Sequence, residues 1–105
     1  MAQIAAIVPD LFFASKVKET LTAAGHEVAL ADAAPAAGAA DLLIVDLDTA
    51  GPADAPEGIP RLGFYSHVDV ETRRRAEEAG FDLVVPRSRM AREMPELVAQ
   101  VLASA

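Results

Sequence analysis

The sequence predicts a doubly wound α/β domain, in which helices cover both faces of a parallel β-sheet. Five short apolar runs alternate along the chain with helical or turn-rich segments, which is the arrangement that βαβ units produce. The run Leu42–Val45 has no polar break and is followed by Asp46. Such a run is typical of a strand that is buried on both faces inside a parallel sheet.

The first part of the chain predicts two strands with a helix between them. The run Gln3–Val8 predicts the first strand, which Pro9 ends because proline cannot donate to the hydrogen-bond ladder. Asp10 is suited to N-cap a helix over Leu11–Ala24. The alternating segment His26–Leu30 predicts the second strand.

The middle of the chain predicts one strong strand between two weakly structured segments. Asp32–Ala40 contains a proline and a glycine, so it allows a helix of only one or two turns. Leu42–Val45 is the third strand. Thr49–Pro60 is rich in proline and glycine, which predicts a long loop.

The last part of the chain predicts two strands and two helices. Arg61–Tyr65 is the fourth strand, and Val70–Ala79 is a helix. Phe81–Val85 is the fifth strand, ended by Pro86. The main part of the last helix is expected to begin at Pro95, after a short turn. Its apolar stripe consists of Met90, Met94, Leu97, Val98, Val101 and Leu102.

Length and composition limit the classes of function. At 105 residues, the chain is expected to form a single domain spanning residues 1–105. The formal net charge of −7 argues against nucleic acid as a partner, because phosphate backbones select basic surfaces. Without cysteine there are no disulfides or thiolate metal sites. No apolar stretch reaches the length of a membrane span, and with no leader segment we expect a cytoplasmic protein with no membrane contact.

Polar residues follow four of the five predicted strands. The carboxyl ends of parallel strands meet at one edge of the sheet, which is where ligands bind in open α/β sheets. Carboxylate oxygens suit Mg²⁺, and a cation with a hydroxyl suits a phosphoryl group. These candidate site residues are Asp10, Asp46, Asp48, Ser66 and Arg87.

At these positions the chain resembles the receiver domains of bacterial two-component signalling, the CheY-like family. The motifs that carry the resemblance are IVPDLFF, LLIVDLD, GFYSH and AGFDLVVPRS, one at each of four strands. The resemblance covers nearly the whole chain. It implies a flavodoxin-like five-stranded parallel sheet in the order 2-1-3-4-5. This chain departs from the family in that its second and third helices are expected to be shortened.

The resemblance also implies roles for the site residues. Asp46 stands at the family's phosphoacceptor, Ser66 at its switch hydroxyl and Arg87 at its lysine. Asp10 stands at the second acid of the Mg²⁺-binding pair, and Asp48 is a further candidate metal ligand. The implied protein is a signalling module, not an enzyme, with Mg²⁺ as cofactor. Its partner would be a histidine kinase or a downstream effector, and a homodimer is a further candidate assembly.

The chain departs from the family pattern at Pro9 and at Arg87. Pro9 replaces the first acid, and Arg87 replaces the lysine, although the two cations grip phosphate differently. Two hypotheses follow: a stand-alone receiver domain switched by phosphorylation of Asp46, or a pseudo-receiver that is never phosphorylated and serves as an interaction or scaffold module. A third, a small-ligand binder on a flavodoxin-like sheet, lacks a glycine-rich phosphate loop after the first strand.

Simpler roles compete for several of these residues. Asp10 could serve as the N-cap of its helix and have no other role. Asp48 could be an ordinary loop residue. Arg87 could pair with Asp10 or Asp46 and take the place of the metal. Phe12 lies off the apolar stripe of its helix and would cover the site or face a partner. The arginines at 73–75 could form a solvated helix face paired with glutamates, or a docking patch.

Overall fold

The computed structural model describes residues 2–31, 40–48, 58–66 and 70–104. Five strands and three helices lie within these ranges. They are β1 (Gln3–Ile7), α1 (Leu11–Ala23), β2 (Glu27–Leu30), β3 (Leu42–Asp46), β4 (Arg61–Tyr65), α2 (Val70–Glu78), β5 (Leu83–Pro86) and α3 (Arg87–Ser104).

The five strands form one parallel sheet with the order β2-β1-β3-β4-β5. The predicted strand order and fold class are confirmed. The register places Ile7 opposite Val45 and Asp46 opposite Phe64. Because every strand runs in the same direction, the segments that follow β1, β3, β4 and β5 all start at one edge of the sheet.

Two apolar clusters cover the two faces of the sheet. One cluster combines alternate residues of β1, β3 and β4 with the inward residues of α1 and α3, including Phe13, Leu21 and Met94. The other contains the intervening strand residues, Ala76 of α2, and Phe81. Alternation along each strand therefore sends side chains to opposite faces, as a doubly wound sheet requires.

The predicted fifth strand, Phe81–Val85, was wrong by one or two residues at each end. The Phe81 amide donates to the carbonyl of Ala76 at 3.1 Å, which closes the turn after α2 and keeps Phe81 out of the strand. At the other end Pro86 is the last residue of β5 rather than the residue after it. β5 is an edge strand, where proline is tolerated because one side of the strand needs no ladder bond.

α3 follows β5 directly and is bent near its middle. Glu93 has non-helical angles, φ −121° and ψ 21°, and separates residues 87–92 from the longer helix that contains Pro95. The ring of a proline clashes with the carbonyl four residues before it, so Pro95 opposes a straight helix through Ala91. The predicted short turn before the main helix agrees with this bend.

Some sequence predictions fall on residues outside the described ranges. They are the weak helix within Asp32–Ala40, apart from Ala40, and residues 49–57 of the long loop. The other bounds agree with prediction to within one residue, and β3 gains Asp46 as its last residue. No helix in residues 2–31, 40–48, 58–66 and 70–104 is long and apolar enough to cross a membrane.

Gly63 provides a test of the packing between the sheet and α2. A Cβ at this position would lie 2.8 Å from Leu47 Cδ1 and 3.0 Å from the Phe81 ring. We expect Gly63→Ala to lower the free energy of unfolding by about 1–3 kcal/mol, because the extra methyl overpacks a filled site. Urea unfolding measures this loss.

A double-mutant cycle with Leu47→Ala is the control for that prediction. Removing the Leu47 side chain eliminates the closer of the contacts, so the two penalties should combine to less than their sum. Strictly additive penalties would mean that Gly63→Ala acts through something other than this contact.

Candidate functional site

Asp46 is the centre of the predicted site, and its carboxylate is almost completely buried. It is the last residue of β3 and is 4% exposed. Its Oδ1 accepts the backbone N–H of Asp48 at 3.0 Å, a turn in which an aspartate side chain replaces a backbone acceptor. The fold therefore places Asp46 at the carboxyl edge of the sheet, and a local hydrogen bond holds it there.

Asp48 links the ends of two neighbouring strands. Its Oδ2 accepts the backbone N–H of Ser66 at 2.7 Å. Ser66 directly follows β4, whereas Asp48 lies two residues after β3. Asp48 is thus more than an ordinary loop residue, because its side chain connects the β3 end to the β4 end.

Asp10 uses both of its carboxylate oxygens. Oδ1 accepts the backbone N–H groups of Phe12 and Phe13, at 3.0 and 3.3 Å, and so caps α1. Such a cap stabilises a helix, because it satisfies N–H groups that have no partner within the helix. Oδ2 accepts from Nη2 of Arg87 at 2.5 Å. The N-cap prediction and the Asp10–Arg87 ion-pair alternative therefore both agree with this geometry.

Arg87 is held by an aromatic ring as well as by Asp10. It is the first residue of α3, and its guanidinium carbon lies 4.3 Å from the centroid of the Phe13 ring. That ring in turn lies 4.9 Å from the ring of Phe64 in β4. A cation over an aromatic face adds about 0.5–1 kcal/mol at an exposed site. Arg87 thus joins α3 to α1 and, through Phe13, to the sheet.

The hydrogen bonds divide the predicted site residues into two groups. One group contains Asp10 and Arg87, and the other contains Asp46, Asp48 and Ser66. The sequence predicted that all five would lie at one edge of the sheet, and their strands place them there. The sequence pattern did not indicate the stacking of Arg87 on Phe13 or the Asp48 bond to the Ser66 amide.

The carboxylates at this edge already accept hydrogen bonds from the chain, and Asp10 does so with both of its oxygens. The three predicted ligands, Asp10, Asp46 and Asp48, each already accept an N–H donor. Within the described ranges no group of three or more histidine, aspartate or glutamate side chains converges to hold a metal. The cation nearest to Asp10 is instead the guanidinium of Arg87.

The opposite edge of the sheet contains a buried arginine that the sequence pattern did not indicate. Arg61 begins β4 and is 7% exposed. Its Nη2 donates to the carbonyl of Ala79 at 2.7 Å, and its guanidinium carbon lies 5.1 Å from the centroid of the Phe81 ring. A cation at the C-terminal end of α2 is favourable, because carbonyl groups are unsatisfied there. Arg61 therefore has a structural role at the end of α2.

The cavities at that opposite edge contain none of the predicted site residues. One of about 480 Å³ is lined by Ala2, His26, Ala40, Asp41, Gly58, Pro60 and Leu102. It lies at the amino ends of the strands, whereas ligands in this class of sheet bind at the carboxyl ends. The residues suited to metal or phosphoryl chemistry therefore lie at the carboxyl edge of the sheet, near Asp46, and not in this cavity.

Solved receiver domains are similar to this chain over nearly its whole length. The non-phosphorylated HemR receiver domain from Leptospira biflexa aligns with 97% of this chain and 94% of its own, at 19% identity and a TM-score of 0.82. A CheY-like response regulator from Mesorhizobium loti aligns over 94% and 97%, at 18% identity and a TM-score of 0.72. The chain has the fold of CheY-like receiver domains.

A longer protein also contains this receiver fold. NtrX from Brucella abortus, solved in complex with ADP, aligns with 98% of this chain at 18% identity and a TM-score of 0.79. The chain spans about a quarter of NtrX, 26% of its length. No protein-family model and no curated protein matches the sequence.

Arg87 changes the acid–base behaviour of Asp10. The hydrogen bond from Arg87 is the main cause that lowers the pKa of Asp10 below its ordinary value of 3.8, and the α1 amides act in the same direction. A lowered pKa means that the pair stabilises the fold above pH 3.8. This stabilisation is lost as the pH falls below that value through the pKa of the folded state.

We therefore expect Arg87→Met to raise the pKa of Asp10 toward its ordinary value. Carbon-detected NMR of the Asp10 carboxyl group during an acid titration measures this change directly. Arg92→Met is the matched control, because Arg92 lies on the same helix and its ion pair is with Glu93. An unchanged Asp10 titration in Arg87→Met, or an equal change in both variants, would contradict the assigned cause.

Proposed function

We propose that this chain is a receiver-like signalling domain that acts through protein–protein interaction, with the Asp10–Arg87 ion pair in the place where receiver domains hold Mg²⁺. The observation that carries the proposal is the use of both Asp10 oxygens, one by the α1 amides and one by Arg87. Pro9 supplies no second carboxylate beside it. The edge that would bind the metal therefore already has a cation of its own.

The ion pair gives this edge one stable arrangement without a ligand. To bind a metal, Asp10 would have to give up Arg87, and the guanidinium would lose its strongest partner. Arg87 also stacks on Phe13, so its displacement would disturb the contact between α1 and α3. A domain held in this way is suited to docking, because its surfaces keep a fixed relation to one another.

The resemblance supplies the partner class of the proposal. Receiver domains work with histidine kinases and with downstream effectors, and we extend this to the present chain. A homodimer belongs to the same class of interaction, since it also uses the outer surfaces of the helices. In either case the partner would bind to the exposed faces of the helices and not to the aspartates at the carboxyl edge of the sheet.

A second candidate function is a switch operated by phosphorylation of Asp46. It is favoured by the position of this carboxylate at the end of β3 and by its single hydrogen bond, from the Asp48 amide. A carboxylate oxygen would attack the phosphorus of a phosphohistidine or of a small phosphodonor. The bond from phosphorus to the leaving group would break and an acyl phosphate would form. An imidazole leaving group would take up a proton from water. Asp46 would first have to turn outward, because it is 4% exposed.

An amide NMR titration with Mg²⁺, followed by the phosphoryl mimic beryllofluoride, separates the two candidates. We expect neither reagent to move the amides of Asp10, Asp46 or Ser66, because both oxygens of Asp10 are engaged and Pro9 supplies no second carboxylate. If Mg²⁺ moved the Asp10 and Asp46 amides and beryllofluoride then moved Ser66 and α3, the metal-free proposal would be wrong and the phosphorylation switch would stand.

A variant with the family's residues provides the positive control. Pro9→Asp combined with Arg87→Lys supplies the second carboxylate and removes the guanidinium fork. We expect this variant to respond to Mg²⁺ at concentrations that leave the natural chain unchanged. Adding Asp46→Asn to it should weaken that response, which would show that the metal is bound at the Asp46 edge.

A further inference from the structure

The start of β4 holds a buried positive charge that has few partners. Arg61 is 7% exposed, and among the described residues the only hydrogen bond of its side chain runs from Nη2 to the Ala79 carbonyl. Its Nε is buried with no hydrogen-bond partner, and none of the ion pairs between described residues includes it. The Phe81 ring and the Ala79 carbonyl stabilise the cation but carry no full negative charge. Because a buried charge is costly without an ionic partner, these surroundings favour the binding of an anionic group.

A cavity next to Arg61 is large enough for a small organic molecule. Its volume is about 350 Å³, and its lining residues are Gly58, Ile59, Pro60, Arg61, Gly80 and Asp82. Pockets that hold small ligands start at about 300 Å³. The guanidinium reaches the wall of this cavity, because a Cβ on Gly80 would lie 2.6 Å from Nη2 of Arg61. The absence of a side chain on Gly80 therefore keeps the guanidinium close to the open space.

Asp82 brings a negative charge to the same cavity. Its Oδ2 accepts the backbone N–H of Arg61 at 2.7 Å, but no ion pair joins its carboxylate to the Arg61 guanidinium. Among the described residues that line the cavity, Arg61 and Asp82 are the only ones with charged side chains. A simple anion at Arg61 would be repelled by Asp82, and a simple cation at Asp82 would be repelled by Arg61. The two charges together favour a ligand that carries both signs.

From these observations we propose that the cavity beside Arg61 binds a free α-amino acid. The carboxylate of the ligand accepts hydrogen bonds from the Arg61 guanidinium, and its ammonium group donates to the Asp82 carboxylate. Gly58 leaves room for the side chain of the ligand, since a Cβ at this position would meet nothing within 4 Å. The inference goes beyond the proposed function and does not rest on it, because the cavity lies at the amino ends of the strands, opposite to Asp46.

The test is an NMR titration of the intact chain with the standard L-amino acids, one at a time. The signals to follow are the side-chain Nε–H of Arg61 and the amides of Gly58, Gly80 and Asp82. We expect at least one amino acid to shift all of them to saturation. Acetate and methylammonium each carry only one of the two charges, so both should bind about tenfold or more weakly. If no amino acid shifts these signals, the inference is wrong. If acetate binds as tightly as the best amino acid, the cavity is a simple anion site and the inference is also wrong.

Two substitutions test the contacts assigned to the ligand. Arg61→Met removes the guanidinium but keeps an apolar side chain against Phe81, and it should abolish the binding of the amino acid. Asp82→Asn keeps an oxygen that can accept the Arg61 backbone N–H but removes the negative charge, and it should lower the affinity by about tenfold. Thermal unfolding verifies that both variants remain folded. If Arg61→Met does not fold, Asp82→Asn and the comparison with acetate decide the question. Unchanged affinity in Asp82→Asn would overturn the inference.

Asp41→Asn is the matched control for Asp82→Asn. Asp41 is exposed at the same edge of the sheet, and its Oδ2 accepts the backbone N–H of Gln3 at 2.8 Å, just as Asp82 accepts that of Arg61. It lines the neighbouring cavity, whose described lining residues include no arginine. We expect Asp41→Asn to leave the affinity for the amino acid within about twofold. An equal loss of affinity in the two variants would show a general effect of charge at this edge and would overturn the assignment to Asp82.

A carboxylate of the chain itself is the rival partner for Arg61. Asp54 and Glu57 are the carboxylates of residues 49–57, which lie outside the described residues. If Asp54→Asn/Glu57→Gln shifts the Arg61 Nε–H signal without any ligand, the chain already neutralises this cation and the inference is wrong. An unchanged signal agrees with the inference. Either result leaves the proposed function intact, because the response of Asp10 and Asp46 to Mg²⁺ is measured at the opposite edge of the sheet.

Discussion

The structure depends on β3 being buried along its whole length. All five of its residues, including Asp46, are buried, so their backbone groups need partners within the protein, and they find them in β1, in β4 and in Pro60 just before β4. This requirement fixes the neighbours of β3 and demands apolar layers on both faces. It also brings a carboxylate to the edge of the sheet with little contact with water, where an unpartnered charge would be costly. The amide of Asp48 supplies the hydrogen bond that this position needs.

The negative charges of the aspartates at the carboxyl edge of the sheet are balanced by groups of the chain itself. Asp10 has a guanidinium and two helix amides, Asp46 has the Asp48 amide, and Asp48 has the Ser66 amide. Each carboxylate therefore lies beside a full or partial positive charge that is covalently part of the domain. Asp46 and Asp48 each use one oxygen in this way, whereas both oxygens of Asp10 are occupied. The occupation of Asp10 is therefore the reason why we propose a domain that acts without a metal.

The sequence predicted those features of the fold that are determined by residues close together in the chain. Continuous apolar runs predicted buried parallel strands, and the order of polar residues after them placed Asp46 and Ser66 at one edge. The fifth strand was misplaced because Phe81 continues an apolar run while its amide closes the turn after α2, which only the fold determines. Arg61 bonds a carbonyl 18 residues away, and Arg87 pairs with an aspartate 77 residues away. Partners so distant in sequence leave no local sequence pattern. Whether Arg87 pairs with a carboxylate or is placed to bind a phosphoryl group therefore had to be judged from the structure.

The Asp10 carboxylate that pairs with Arg87 also caps α1. The apolar side chains of Phe13, Ala14 and Val17 determine which side of this helix faces the sheet. Leu11 and Phe12 are left facing outward for the same reason. On that inward side, Phe13 contacts both the ring of Phe64 and the guanidinium of Arg87. The cap, the ion pair and the ring contacts thus all involve the first turn of α1, so a change that weakens the ion pair is expected to disturb the packing of that turn.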